Sequence, residues 1–286
     1  MSKLYSKKKG IYYILLSSMF FALMNMFVRL SGDIPVIQKS FFRNFVAMLI
    51  ALAMFRKEKV NWNIGRKNWG ILFIRAFFGT VGVLCNFYAV SHLVLSDASM
   101  LNKLSPFFAI LLSSLFLREK FSFRQGIYVV LAFIGSLFII KPTFSNTDLF
   151  ASLLGAFGGF SAGAAYTAVR YLGQRGVNKS LIIFAFSGFS CLVTLPSLLF
   201  QFHPMTPLQW VYLLLAGLAA AGGQLTITSA YSYAPAKEIS VYDYSQVIFS
   251  AILGFFLFSQ VPDAYSILGY IIISSVAIIS YLKQQS

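Results

Sequence analysis

Charge is scarce in this chain. Asp, Glu, Lys and Arg make up only 11% of its 286 residues, against about 25% in ordinary soluble proteins. Apolar residues make up 58% and mean hydropathy is +0.76. So little polar material cannot coat a soluble fold of this size. Disorder is excluded by the same figures, because disordered segments are poor in apolar residues and rich in charge. Cysteine is nearly absent. Cys85 and Cys191 both sit in apolar runs, which rules out a disulfide framework. The two histidines, His92 and His203, rule out an HExxH motif or a His-rich metal site. The eight acidic residues form no DxxD pair, and no GxxxxGK[ST] phosphate loop is present. A serine nucleophile would lack a nearby base. The sequence therefore predicts no enzyme, no cofactor and no metal.

What the chain has instead is long apolar runs. Ten of them fall at roughly 11–30, 36–55, 69–91, 96–117, 123–141, 149–172, 180–200, 208–234, 238–258 and 263–282, each near the ~20 residues a membrane-spanning helix needs. Turn signals separate several: Gly32 to Pro35, Pro142, Pro204 with Pro207, and Pro262. The runs lack the period-2 alternation of barrel strands. The first follows Lys7, Lys8 and Lys9 but is too long for a signal peptide and lacks a small-residue cleavage site, so it reads as a retained helix. The predicted class is an all-α membrane protein of ten transmembrane helices.

The basic residues orient it. With the N-terminus in the cytoplasm, seventeen of the 23 Lys and Arg fall on that side. They are Lys3, Lys7, Lys8, Lys9, Arg56, Lys57, Lys59, Arg66, Lys67, Arg118, Lys120, Arg124, Arg170, Arg175, Lys179, Lys237 and Lys283. Only Arg29, Lys39 and Lys141 fall near outer ends, and Arg43, Arg75 and Lys103 lie inside helices. This is a strong positive-inside bias, and it puts both termini in the cytoplasm. The net charge of +15 then reflects topology and an anionic leaflet rather than a nucleic-acid partner.

The chain also repeats at a fixed offset of 141 residues. Trp69 maps onto Trp210, Gly82 onto Gly223, Ala89 onto Ala230, Ser91 onto Ser232, Ser99 onto Ser240, and Phe108 onto Phe249. Val28-Arg29 maps onto Val169-Arg170, Gly32 onto Gly173 and Asp97 onto Glu238. The repeats cover residues 1–141 and 142–286. Five helices per repeat is an odd number, so the second copy must enter the membrane from the opposite side. Inverted repeats place a substrate site near the midplane, between the halves.

Two stretches carry a family resemblance. One runs from Tyr88-Ala89-Val90-Ser91-His92-Leu93 to Ser105-Pro106-Phe107-Phe108. The other runs from Tyr231-Ser232-Tyr233-Ala234-Pro235-Ala236-Lys237-Glu238 to Gln246-Val247-Ile248-Phe249. Together with the doubled five-helix plan, they make the chain similar to the drug/metabolite transporter superfamily, EamA type. The family's Tyr-x-Pro-Ala turn is complete only in the second half, and its helix proline survives only as Pro106, with Val247 at the equivalent place. The resemblance implies a secondary transporter working by alternating access, and export of amino acids or related metabolites. It also admits exchange of nucleotide-linked metabolites, as by an S-adenosylmethionine carrier. A channel is the further alternative, but it needs a continuous pore, whereas inverted repeats suit two alternating gates.

Polar residues inside the helices mark the candidate site, because lipid-facing polar groups are costly. Ser18, Ala22, Asn25 and Arg29 share a face of helix one, and Gly159, Gly163, Tyr166 and Arg170 share the equivalent face of helix six. Arg75, Gly79, Gly82 and Asn86 share a face of helix three; Gln224, Thr228 and Tyr231 share one of helix eight. Helix four carries Ser99, Asn102, Lys103 and Pro106, and helix nine carries Ser240, Asp243, Tyr244 and Gln246. The candidate substrate-binding set is Asn25, Asn86, Asn102, Lys103, Tyr166, Gln224, Thr228, Asp243 and Tyr244. A cation, a carboxylate, amides and aromatic rings suit an amino-acid-like metabolite. Lys103 and Asp243 have a competing reading as a mutual structural pair, since an unpaired buried charge is expensive. Asp243, a carboxylate well inside its helix, is also the candidate carrier of a coupled proton. The glycines read as close-packing positions. Arg75 is expected to snorkel toward the cytoplasmic end, and Arg43 to hold a structural partner or a ligand. The remaining partners expected are the small-molecule substrate and the bilayer of the cell membrane.

The topology is directly testable. An impermeant thiol reagent applied to intact cells should label Asp33→Cys and spare Glu58→Cys. The opposite pattern would reverse the orientation.

Overall fold

A computed structural model describes residues 7–58, 64–117, 123–140, 148–233 and 240–283. The Ala234-Pro235-Ala236 turn with Lys237 and Glu238, and Lys3, Lys59, Arg118, Lys120, Lys141 and Pro142, lie outside these residues. The described chain is nearly all helical, with no strand among its described residues. Its helices are α1 Lys7–Leu30, α2 Val36–Lys57, α3 Arg66–His92, α4 Leu95–Asn102, α5 Ser105–Leu117, α6 Phe123–Ile140, α7 Leu149–Gln174, α8 Lys179–Phe200 and α9 Pro207–Tyr233. A 3₁₀ turn, Ser240–Tyr244, leads into α10 Ser245–Phe258, and α11 is Ala264–Lys283. Seven segments are long and apolar enough to cross a membrane, among them Leu95–Phe116 counted across α4 and α5. Three further apolar stretches are shorter: Gly126–Ile139, Tyr242–Phe258 and Ala264–Val276.

Two of the ten expected continuous helices are interrupted. The run over 96–117 breaks at Lys103-Leu104, between α4 and α5. Pro106 explains the break: it has no N–H to offer the Asn102 carbonyl one turn earlier, and its ring clashes there. It sits instead in the first turn of α5, where a missing N–H is harmless. In the second repeat the run over 238–258 departs from α-helix at Ser240–Tyr244, although Val247 stands where the proline would be.

Packing crosses between the repeats. α1 packs on α9 and α7 on α3; α2 packs on α8 and α6 on α11; α1 meets α10 as α7 meets α5. The 141-residue offset exchanges the members of these pairs. Each helix therefore has its main partner in the other repeat. Small residues permit the closest approaches. A Cβ at Gly159 would stand 2.6 Å from the Leu101 carbonyl oxygen, and one at Gly163 would stand 2.8 Å from that of Ser105. The α7 glycines thus bear directly on the backbone beside the α4–α5 break, as the packing reading expects.

The surface is apolar where that of a soluble protein is polar, and the apolar core holds many polar groups. Phe73, Leu115, Phe116, Leu192, Leu199 and Phe256 are exposed, while Ser17, Ser18, Asn25, Arg43, Asn44, Lys103 and Asp243 are at most 1% exposed or close to it, at 3% for Lys103. Bare aromatic and aliphatic side chains outside, with the polar groups turned inward, are what a hydrocarbon solvent stabilises.

The two ends are tied separately. At one, Glu58 accepts from Asn178 Nδ2 at 3.0 Å and Ser180 Oγ at 2.9 Å. At the other, Gln38 Nε2 donates to the His203 carbonyl at 2.8 Å, His203 N–H donates back to Gln38 Oε1 at 2.9 Å, and Gln209 Nε2 donates to the Ser31 carbonyl at 3.1 Å. Lys39, expected near an outer end, is only 1% exposed. Its Nζ donates to the Gly32 carbonyl at 2.7 Å and to Ser91 Oγ at 3.3 Å. Gly32 adopts φ +66°, the left-handed turn that ends α1. Arg29 Nη1 likewise donates to the Val90 carbonyl at 2.9 Å and to that of Leu93, at the end of α3. Both cations therefore satisfy carbonyls at helix C-termini, where the helix dipole favours them.

The backbone contact at α7 generates a prediction. Gly159→Ala should lower the stability of the detergent-purified protein by about 1–3 kcal/mol through overpacking. Gly173→Ala, on the same helix with nothing within 4 Å, should leave it unchanged or slightly raised. Thermal unfolding of the two variants decides; equal midpoints would reject the close approach.

Candidate functional site

The two interrupted helices meet. Lys103 Nζ lies 2.6 Å from Asp243 Oδ2, with both side chains at most 4% exposed. The Tyr244 hydroxyl donates to the Lys103 carbonyl at 3.0 Å. That carbonyl is left without a helical donor because the Phe107 N–H bonds the Leu104 carbonyl instead. Ser18 of α1 donates to Asp243 Oδ1 at 3.1 Å and is 3.2 Å from the Asp243 carbonyl. One turn out, the Ser99 and Ser250 hydroxyls bond at 2.7 Å. The break in each repeat is thus satisfied by side chains of the other.

Of the two readings of Lys103 and Asp243, this geometry displays the mutual pair. Each is the other's counter-ion, and Ser18 supplies a further donor to the carboxylate. Asn102, the repeat equivalent of Asp243, ends α4 and is half-buried.

The other expected residues fall into two more groups. Asn86 Nδ2 donates to Asn25 Oδ1 at 3.1 Å, joining α3 to α1, and the Asn25 Nδ2 has no partner among the described residues. Arg75 Nη2 donates to Gln224 Oε1 at 3.2 Å, joining α3 to α9. Thr228 is buried on α9, one turn beyond Gln224. Tyr166, on α7, is half-buried and interacts electrostatically with Asp243, Arg75 and Arg43.

Arg75 departs from expectation. It does not snorkel; it is 3% exposed, and its guanidinium lies 4.3 Å from the centroid of the Phe186 ring on α8. Arg43 reaches the same ring from α2, at 5.5 Å, and donates to its neighbour Asn44. Asn44 in turn donates to Ser190 Oγ at 2.7 Å, tying α2 to α8. Phe186 is the residue sequence reasoning missed. One phenylalanine among 31 carries no signal until two buried guanidinium groups are seen to need an aromatic face.

The pair at the breaks sets an energetic test. Lys103→Met or Asp243→Asn alone leaves one buried charge without its partner and should cost about 3–5 kcal/mol. The double variant Lys103→Met/Asp243→Leu should recover most of that loss in thermal unfolding. A double variant no more stable than the worse single one would reject the pairing.

Comparison with known proteins agrees with this architecture. The model of the EamA-like transporter family matches twice, over residues 8–141 and 149–282. The pseudopaline exporter CntI of Pseudomonas aeruginosa is 32% identical over 269 residues, covering 93% of each chain. Solute carrier family 35 member G1 of Mus musculus is 26% identical over 91% of this chain and 74% of its own. The riboflavin transporter of Vibrio cholerae is 24% identical over 95% and 93%. A solved crystal structure superposes with a TM-score of 0.71 over 98% of this chain and 100% of its own, at 15% identity, which bears on fold alone. Two family matches that cover nearly the whole helical chain, with polar groups buried beneath an apolar surface, establish that the chain belongs to the EamA-like transporter family and is a multi-pass membrane transporter.

Proposed function

We propose that this protein is a secondary transporter that exports a small amino-acid-like metabolite across the cell membrane by alternating access. The observation that carries the reading is the buried Lys103–Asp243 pair, 2.6 Å apart where the two broken helices meet. Opening such a pair without a replacement strands two charges in a low-dielectric interior. A zwitterion removes that obstacle: its carboxylate takes Lys103 and its ammonium takes Asp243. Asn25, Asn86, Asn102, Gln224 and Thr228 supply amide and hydroxyl contacts, and Tyr166 and Tyr244 supply aromatic area. Broken helices at a midplane site are a recurring device of transporters built from inverted repeats. Ten spans, in repeats of residues 1–141 and 142–286 with both termini cytoplasmic, complete the proposal. The exchange of packing partners under the 141-residue offset supports it. Export rather than uptake rests on likeness to the pseudopaline exporter. Asp243 is the proposed carrier of a coupled proton.

Purified protein in liposomes loaded with a mixture of unlabelled amino acids is the test. Uptake of labelled amino acid should saturate and be stimulated from the opposite side. Currents that grow linearly with concentration would reject alternating access. Lys103→Ala should abolish flux of the stimulated amino acid, and Asp243→Asn should flatten its pH dependence. Recovery of flux in the Lys103→Ala/Asp243→Ala double variant would reject Lys103 as the carboxylate anchor.

A further inference from the structure

The Lys103–Asp243 pair does not balance the charge in the middle of the bundle. Arg43 and Arg75 are 1% and 3% exposed, and neither has a carboxylate partner among the described residues. Their acceptors are neutral amides: Asn44 Oδ1 for Arg43, and Gln224 Oε1 at 3.2 Å for Arg75. Each keeps a buried Nε with no acceptor. Both guanidinium groups lie against one ring, 5.5 Å and 4.3 Å from the Phe186 centroid, so two like charges contact the same aromatic side chain.

A guanidinium carries five donors and no acceptor. A ring face offsets part of the desolvation of such a group, but it satisfies none of the remaining N–H donors. Burying two of them on one ring without an anion is unfavourable in the ligand-free protein. The chain nevertheless makes room for the arrangement. A Cβ at Gly79 would stand 2.1 Å from Arg75 Nη1 and 2.8 Å from the Phe186 ring. The arrangement is also one-sided. The repeat equivalents of Arg43 and Arg75 are Phe184 and Ala216, so symmetry does not account for it.

We propose that Arg43 and Arg75 form a carboxylate-binding subsite, and that the transported metabolite carries a second carboxylate in addition to its zwitterionic part. This rests on the zwitterion reading of Lys103 and Asp243. Tyr166 interacts electrostatically with Asp243 and with both arginines. Gln224 takes one Nη2 donor of Arg75 at 3.2 Å, and the buried Nε stays without an acceptor, so donors remain for a carboxylate.

The test uses the full chain purified in detergent, with L-glutamate, L-glutamine, glutarate and inorganic phosphate as probes of thermal stability. A ligand that binds only the folded protein raises its unfolding midpoint. L-glutamate should bind at least about tenfold more tightly than L-glutamine, the difference expected for losing a charged hydrogen-bonding partner. That preference should vanish in Arg43→Gln and Arg75→Gln and shrink in Gly79→Ala, which keeps both charges and displaces one. Without ligand, Arg75→Met should melt at or above the wild-type temperature, because an uncompensated charge is gone. A lower midpoint would make the arginine structural and overturn the subsite. Equal stabilisation by both amino acids in every variant would overturn the subsite and leave the zwitterion reading standing. Arginine-dependent stabilisation by glutarate with none by either amino acid would do the reverse. Stabilisation by phosphate alone, or by no probe, would overturn the carboxylate assignment.

Discussion

A helix break inside a hydrocarbon slab persists only if protein satisfies the backbone groups it frees, and that constraint organises the centre of this molecule. The carbonyl of Lys103 is taken by the Tyr244 hydroxyl, and the carbonyl of Asp243 is met by Ser18. The side chains of Lys103 and Asp243 then neutralise each other at 2.6 Å. Each repeat thus repairs the other's break. Neither break is tenable in an isolated repeat, because the groups that satisfy it come from the opposite one.

The same dependence appears in the packing. α1 lies on α9, α3 on α7, α2 on α8 and α6 on α11, each pair drawing one helix from each repeat. The glycines of α7 bring its backbone onto the Leu101 and Ser105 carbonyls beside the break. A shift of α7 therefore reaches the Lys103–Asp243 pair through hard backbone contact. Close packing of this kind suits a switch between discrete arrangements rather than a graded deformation.

The repeats are alike in backbone and unlike in charge. The buried cations Arg43, Arg75 and Lys103 all belong to the first repeat, and their equivalents are Phe184, Ala216 and Tyr244. Asp243, the carboxylate that pairs with Lys103, belongs to the second, opposite Asn102; a second buried carboxylate, Asp97, lies in the first and accepts from Tyr270. A doubled scaffold with an asymmetric charge set makes the two repeats chemically distinct. Cations at the rim do different work: Arg29 and Lys39 close the C-termini of α3 and α1, where the helix dipole makes a positive charge favourable.

Class, helix positions and the doubled plan were legible in the sequence, because hydrophobic period and length are local properties and lipid leaves few alternatives. The run over 96–117 reads as one continuous helix, although Pro106 is a local mark of the break after Asn102; its counterpart at Ser240–Tyr244 has no such mark, since Val247 stands there. The shared faces of Ser18 with Asn25 and of Arg75 with Gly79 and Asn86 followed from helical period alone. Partners did not. The pairing of Lys103 with Asp243 is one of two readings the sequence leaves open, and its choice, the capping of helices by Arg29 and Lys39, and the inward turn of Arg75 to Phe186 depend on contacts between residues 61 to 149 positions apart in several cases. Periodicity says which way a side chain faces, and only the tertiary packing decides what stands in front of it.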